Sequence, residues 1–420
     1  MSKRSPVDAH TLLIVAWLVA GLPAACKQTH IVLDPLTNPP ETDGGTSDAS
    51  ATDGAGGPGG TGGAAPAAGP VTALNTAYYH TCAIAGGALY CWGANDEGRL
   101  GLGDTKDRRT PARVGVDSDW IDIQVGERSS LGLKRDGSIW SFGGNDVGQL
   151  GQGDFVALKT PTRIGTRADW TAIATRFDHA CALAADGSLW CWGQNTEGQL
   201  GQDETNTASM DRPTPVQVTT ARDFAAVDAG QGHTCAIRRN GTLWCWGRNT
   251  DSILGQGAGS PVQIHHPVQV GSATDWQIVR SGQSSTCGLR GAVVYCWGRV
   301  VDQSQPGSAD GTDVPVPTAI GGPAGASGLT FNTFGGCSFD ARGAGACWGR
   351  NAEGQLGLGD MSVQTDVVAL PLGNWTWLSA GRFSTCGIRG GHVWCTGDNR
   401  NGQIGQGSVD RVATFMEVAL

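Results

Sequence analysis

The chain has 420 residues, a formal net charge of −9 and 16% charged residues, and so lacks the basic balance that a nucleic-acid surface requires. Glycine fills 66 positions and tryptophan 15, with no three-residue glycine period, which excludes collagen and suits many tight turns between short strands. Thirteen cysteines are too many to be idle thiols.

In chain order, Lys3 and Arg4 precede an apolar run from Thr11 to Leu22, too short to span a bilayer but suited to a secretion signal. The run ends in Leu22-Pro23-Ala24-Ala25-Cys26, which resembles the lipobox of bacterial lipoproteins. The resemblance implies a signal peptide over residues 1–25, cleavage before Cys26 and acylation of that cysteine. Several acyl chains would make the membrane itself a stable partner. Lys27, where an Asp would favour inner-membrane retention, points to an outer-membrane or cell-surface lipoprotein of the envelope. An ordinary secretion signal with a fortuitous cysteine is the alternative. Residues 26–70 read as the lipidated cysteine plus a disordered tether. From Gly44 to Pro70 no aromatic or large aliphatic residue occurs, and such composition cannot repay the entropy of ordering.

From residue 71 to 420 the chain repeats itself. His80-Thr81-Cys82-Ala83-Ile84, Tyr90-Cys91-Trp92-Gly93, Asn95 and Gly98-Arg99-Leu100-Gly101 return along the sequence. The second marker falls at 91, 141, 191, 245, 296, 347 and 395, a period of 48 to 54 residues. No 3.6-residue patterning is visible, so each period fits four short strands, the blade of a propeller. The unit Trp-Gly-x-Asn-x-x-Gly-Gln-Leu-Gly, followed by Gly-Asp, Thr-Pro and an apolar strand, resembles the repeat of the regulator of chromosome condensation. That resemblance implies an all-β, seven-bladed propeller of four-stranded antiparallel blades, its ring closed by both chain ends within one blade. Val412–Val418 is expected as the last strand, and the segment from Val71 as the strand before the first His-Thr-Cys. The fifth copy departs from the unit and reads as a Pro/Gly/Asp-rich loop from Val300 to about Gly328.

Twelve cysteines remain after Cys26, in pairs nine or ten residues apart: Cys82/Cys91, Cys181/Cys191, Cys235/Cys245, Cys287/Cys296, Cys337/Cys347 and Cys386/Cys395. Folding the chain about Gly86-Gly87, or about Ala185-Asp186-Gly187, places both members opposite each other on a non-hydrogen-bonded pair. Disulfides within hairpins follow, in an oxidising compartment. The second copy loses both partners together, as Leu131 and Ser141. Zinc and free buried thiols are the rivals, but no Cys-x-x-Cys knuckle occurs.

Other recurring residues read as structural. Trp92, Trp192, Trp246, Trp297 and Trp348 share one position, with Phe142 and Thr396 in the remaining copies; Trp120, Trp170, Trp276 and Trp375 share another. Asp104, Asp154 and Asp360 supply one acid per turn, too few for calcium, and read as turn caps. His80, His179 and His233 recur without a unique acid or nucleophile, which points to hydrogen bonding rather than catalysis. No hydrolase elbow, zinc-protease or phosphate-loop motif appears, so no catalytic residue, metal ligand or cofactor is assigned. The strong irregularities are Asp203–Pro213, Asp251–His266 and Val300–Gly328, read as loops that carry recognition. His265-His266 lies in one of them and is a weak metal signal. The leading expectation is a non-catalytic, monomeric binding or scaffold module holding a protein or glycan, with no nucleic-acid partner. Inhibition of a secreted enzyme is the alternative, followed by an envelope hydrolase with a site at the propeller centre. The resemblance also implies guanine-nucleotide exchange, which an exported chain has no occasion to perform.

Overall fold

The computed structural model describes residues 69–202, 210–301, 305–306 and 311–420. Cys26, the segment 1–25 and the tether up to residue 68 lie outside the described residues.

Seven four-stranded antiparallel sheets follow one another along the chain as the blades of a propeller, without helices among the described residues. Blade 1 consists of Val71–Thr76, His80–Ala85, Ala88–Gly93 and Arg108–Arg113, here strands a to d from the axis outward. The a strands of blades 2 to 7 are Trp120–Val125, Trp170–Thr175, Phe224–Ala229, Trp276–Ser281, Ala326–Phe331 and Trp375–Ala380. Each blade uses four consecutive strands, so no blade mixes the two chain ends. Val412–Val418 is strand d of blade 7, and Val71–Thr76 is strand a of blade 1. The ring closes instead by packing blade 1 against blade 7, clipped by the Trp92 indole N–H donating to the Gln403 carbonyl at 2.9 Å.

All three segments read as loops are partly strand. Arg212 and Pro213 open strand d of blade 3, Asp313–Ala319 lies inside the Pro/Gly/Asp-rich stretch of copy five, and Ala326–Phe331 begins at its end. His265 and His266 sit in the d strand Gln263–Gln269 of blade 4. The reason is the position of strand d at the outer edge, where no further strand needs its N–H groups. Proline is therefore tolerated there, as at Pro111, Pro161, Pro213, Pro215, Pro267, Pro315 and Pro317.

The sequence repeat is a seam rather than a blade. Trp192, Trp246 and Trp297 each donate their indole N–H to a carbonyl in the c–d loop of the preceding blade, at Gln149, Gln199 and Ile253. The last glycine of each unit makes room for this ring. Gly201 sits at φ +72°, and a Cβ there would stand 2.6 Å from Trp246 Nε1. Gly201→Ala should therefore cost about 2–4 kcal/mol, from left-handed strain plus overpacking, read as a lower urea midpoint at unchanged slope. In blade 7, where Thr396 replaces the tryptophan, Phe415 of strand d fills the gap, crowding Gly357 and meeting Trp375 at 4.7 Å. Histidines bind in the opposite sense. His80, His179 and His233, all buried, pair through Nε2 with hydroxyls of the next blade, at Ser130 (2.9 Å), Thr234 (2.9 Å) and Thr286 (3.0 Å).

Within every blade but the second the b–c hairpin register sets paired cysteines face to face. Six disulfides join Cys82–Cys91, Cys181–Cys191, Cys235–Cys245, Cys287–Cys296, Cys337–Cys347 and Cys386–Cys395. In blade 2 Leu131 faces Ser141, whose hydroxyl donates to the Leu150 carbonyl at 2.7 Å. The Gly-Asp acids cap turns: the Asn95 side-chain amide donates to Asp104 Oδ1 at 3.0 Å, while Asn95 Oδ1 accepts the Leu100 N–H at 2.9 Å. Asn145 with Asp154 and Asn351 with Asp360 repeat the arrangement. The tryptophans that open the a strands are buried, and Gly132, Gly288 and Gly387 leave space for the rings of Trp120, Trp276 and Trp375.

Candidate binding surfaces at the channel and the loop face

Strand direction assigns every connection to one of two faces. The a–b and c–d connections emerge on one side, here the loop face; the b–c hairpins and d–a connections emerge on the other. Each of the three irregular stretches includes a c–d connection, within 194–211, 249–262 and 300–312, and these parts share the loop face, whereas residues 320–325 of the third form a d–a connection on the other side. Residues 203–209, 302–304 and 307–310 within them lie outside the described residues. Contacts across this face confirm the geometry. Arg99 of blade 1 donates to the Glu127 carbonyl of blade 2 at 2.9 Å, and Arg248 of blade 4 to the Gln283 carbonyl of blade 5 at 2.6 Å.

At the centre of the loop face the a–b turns form the channel mouth. Tyr78, from blade 1, is buried there and reaches Phe177 of blade 3, ring centroids 5.4 Å apart and edge-on. It also stands beside Thr333 of blade 6 and lies under the Arg382 guanidinium of blade 7, 4.9 Å from the ring. A side chain in contact with blades on opposite sides of the ring spans the mouth. Burial raises the Tyr78 pKa against the opposing pull of Thr333 and Arg382. Around it, Arg382 and Arg350 cover the Phe334 and Phe383 rings. Glu127 and Asp178 stand half-buried nearby with carboxyl pKa values pushed up by burial.

Behind the mouth, the a strands enclose a narrow channel, open to solvent. The fifth residue of each a strand sets its polarity: Asn75, Gln124, Ala174, Asp228, Arg280, Thr330 and Ser379. Strand a is the inner edge of its blade, and its exposed N–H groups need acceptors. Neighbours supply them. Asn75 Oδ1 accepts the Val125 N–H (3.2 Å), Asp228 Oδ2 the Ser281 N–H (2.6 Å), Thr330 Oγ1 the Ala380 N–H (2.8 Å) and Ser379 Oγ the Thr76 N–H (3.0 Å). Asn75 also donates to Gln124 Oε1 at 3.0 Å, and Arg280 stands 3.9 Å from Asp228.

None of these channel residues was singled out in the sequence, although a signal exists. Each lies seven residues before the first hairpin cysteine, or before Leu131 in the copy that lacks one. Among the described residues no group of three or more His, Cys, Asp or Glu is placed to hold a metal, His265 and His266 included. No helix among them is long and apolar enough to cross a membrane.

Residues 86–133, 136–183, 186–237 and 240–289 match the family model described as Regulator of chromosome condensation (RCC1) repeat. A second model of the same repeat matches 120–149, 170–199 and 224–252. Each of the four longer matches straddles two blades. The structure is similar to that of human WBSCR16, at 17% identity over 79% of this chain and 94% of that chain, with a TM-score of 0.71. It is likewise similar to yeast RCC1 (Prp20) solved with Kap60, at 18% identity over 84% and 85%, with a TM-score of 0.70. At such identities the likeness is one of fold. Among curated proteins, the Ras guanine nucleotide exchange factor C of Dictyostelium discoideum is 71% identical over 28 residues, 7% of this chain and 2% of that protein. The chain therefore matches a small fraction of that relative's length.

Proposed function

Because the chain carries regulator of chromosome condensation repeats on a seven-bladed propeller, we propose that it is a non-catalytic binding module that presents its loop face to a protein or glycan. The observation that carries this reading is that the c–d connections of blades 3, 4 and 5, which depart most from the repeat, emerge on one face. Uniform blades give the other face little to distinguish one partner from another, whereas c–d connections of unlike sequence around a rigid rim give shape and charge to a single epitope. The channel argues in the same direction. Of its lining residues Asp228 is the one carboxylate, and it is engaged with the Ser281 N–H and the Arg280 guanidinium, a structural use that suits a rigid scaffold for binding.

The rest of the proposal concerns address. Six disulfides suit an oxidising compartment, and the Leu22–Cys26 motif suits a lipid anchor on Cys26, with 1–25 as signal, 26–70 as tether and 71–420 as the propeller. The protein would then stand as a monomer outside the cytoplasm, in the envelope and at the outer membrane. Guanine-nucleotide exchange is disfavoured by that address, and inhibition of a secreted enzyme is one form the binding could take.

The test replaces residues 300–312 with the regular c–d connection of blade 1, residues 94–107, in the full-length chain. Crosslinking to intact envelope is expected to yield a discrete adduct with the native protein and lose it with the replacement at unchanged melting temperature. An adduct of equal intensity from both proteins would refute the loop-face reading.

A further inference from the structure

Strand d ends each blade at the circumference, and most of these rims are guarded against further pairing. Counted from the residue paired with the last glycine of strand c, the fourth residue of strand d is Pro111, Pro161, Pro215, Pro267 or Pro317 in blades 1 to 5. Proline there removes an outward N–H, a common protection of a sheet edge. A second guard comes from the preceding blade, whose c–d connection clips the carbonyl of the second residue with a glycine N–H. Gly103 donates in this way to Lys159 of blade 2 at 2.8 Å, and blades 1, 3 and 5 receive the same clip. Blade 7 has Phe415 in place of the proline, but its clip is extended. Gly359 donates to the Ala413 carbonyl at 2.8 Å, and Leu358 bridges Thr414 as a short antiparallel pair.

Strand d of blade 6, Gln364–Ala369, has neither guard among the described residues. Its fourth residue is Val367. The connection of blade 5 that would clip it lacks the glycine unit, and its ends turn back on each other instead. The Val300 N–H donates to the Thr312 carbonyl at 2.8 Å, and the Gly311 N–H to the Val300 carbonyl at 2.9 Å. The c–d register, Gly349 to Gln364 and Cys347 to Val368, matches that of blade 3, where Pro215 holds the fourth place. The ladder inside the blade therefore has no use for the Val367 N–H. That N–H and the Thr365 carbonyl correspond to the groups flanking Thr414 in blade 7, where a neighbouring stretch is bridged. Between them lies Asp366, exposed like Thr365. From Asn351 to Gly381 the chain carries Glu353, Asp360 and Asp366 but no lysine or arginine, and Glu353 is paired with Arg411. Met361 and Val363, both exposed, precede the strand.

We propose that the rim of blade 6 takes up an extended basic segment of a protein partner as a fifth, antiparallel strand. Main-chain hydrogen bonds to Thr365 and Val367 supply the attachment, and the side chain facing Asp366 supplies the selection. Opposite charges directly across a ladder stabilise it and like charges destabilise it, so a lysine or arginine belongs at that point. The same rule turns away a second copy of the chain, which in antiparallel register would set Asp366 against Asp366. Blades 1 to 5 are closed to such a strand by proline, and blade 7 by the stretch already bridged to it.

The test is calorimetric titration of the full-length protein with a capped hexapeptide of alternating lysine and valine. Its glutamate–valine counterpart and a form N-methylated on alternate amides are the controls. Saturable binding of the lysine peptide is expected, with each control weaker by about tenfold or more. Val367→Pro should weaken the lysine peptide by a similar factor at unchanged melting temperature, since five blades hold proline at that place. Thr365→Pro, which copies Pro213 and Pro315, is the second variant should the first fold poorly. Sedimentation should find the free protein monomeric. A dimer lost on Val367→Pro would give the rim to a second copy and overturn the assignment. So would no saturable binding, equal affinity for either control, or full binding by a folded proline variant. Replacing residues 300–312 with 94–107 brings the missing glycine and should close the same rim. Val367→Pro leaves that connection intact, so loss of peptide binding and loss of the loop-face adduct are read separately.

Discussion

Complete reduction of the full-length chain is expected to lower its melting temperature by more than about 10 °C, given the combined size of six hairpin bridges on a domain this large. Each disulfide closes a loop of nine or ten residues along the chain and removes roughly 2–3 kcal/mol of freedom from the unfolded state. Even if strain halves that sum, the loss is comparable with the whole stability of an ordinary domain. All twelve sulfurs are buried, so reductant acts on opened molecules and the loss should appear slowly at room temperature and quickly on warming. Scanning calorimetry with and without a phosphine reductant measures the effect. Alkylation under denaturing, non-reducing conditions should label none of the twelve. Equal melting temperatures, or twelve labelled thiols, would remove the bridges from the account of stability. Blade 2 supplies the internal comparison, because Leu131 and Ser141 hold the same register without sulfur.

Acid should be nearly as damaging, through the three seam histidines. Burial holds His179 down to about 4 and His233 to about 3, and drives His80 well below its ordinary value, with the Arg99 charge adding to the last. In the unfolded chain the same rings protonate below about 6.5. The unfolded state then binds more protons, so stability is complete above pH 6.5 and falls as pH drops toward 4 and 3. At pH 4.5 His179 and His233 together cost roughly 5 kcal/mol, and His80 adds to the loss. Urea melts at pH 7.5, 6.0 and 4.5 would show the decline, and proton uptake on unfolding should approach three. His179→Gln with His233→Gln should flatten the slope while lowering the plateau. A stability constant from pH 7.5 to 4.5 would refute this origin of acid sensitivity.

What the sequence made legible follows from repetition. Seven near-copies announce a ring, and the glycine turns fix the register that brings Cys181 to Cys191. Features that depend on one blade meeting another were harder to see. Nothing near Thr396 says that Phe415 fills the missing tryptophan's place, because the two meet only when strand d of blade 7 lies down. The same holds for ring closure: a strand at each chain end suggests a shared blade, while the pairing shows four consecutive strands in each. Prolines disguised the strand Asp313–Ala319 as a loop, since an edge strand obeys looser rules than a central one. The channel residues escaped because a lone Asp228 or Arg280 has no periodicity of its own and acquires meaning when seven first strands converge.

The offset between repeat and blade has a bearing on how such a ring grows. A duplicated unit brings the second half of one wedge, the first half of the next and the finished joint between them. Newly copied material therefore arrives already fitted to its neighbours on both sides, as a mortise comes with its tenon, and the ring can gain or lose a member without any contact having to be invented.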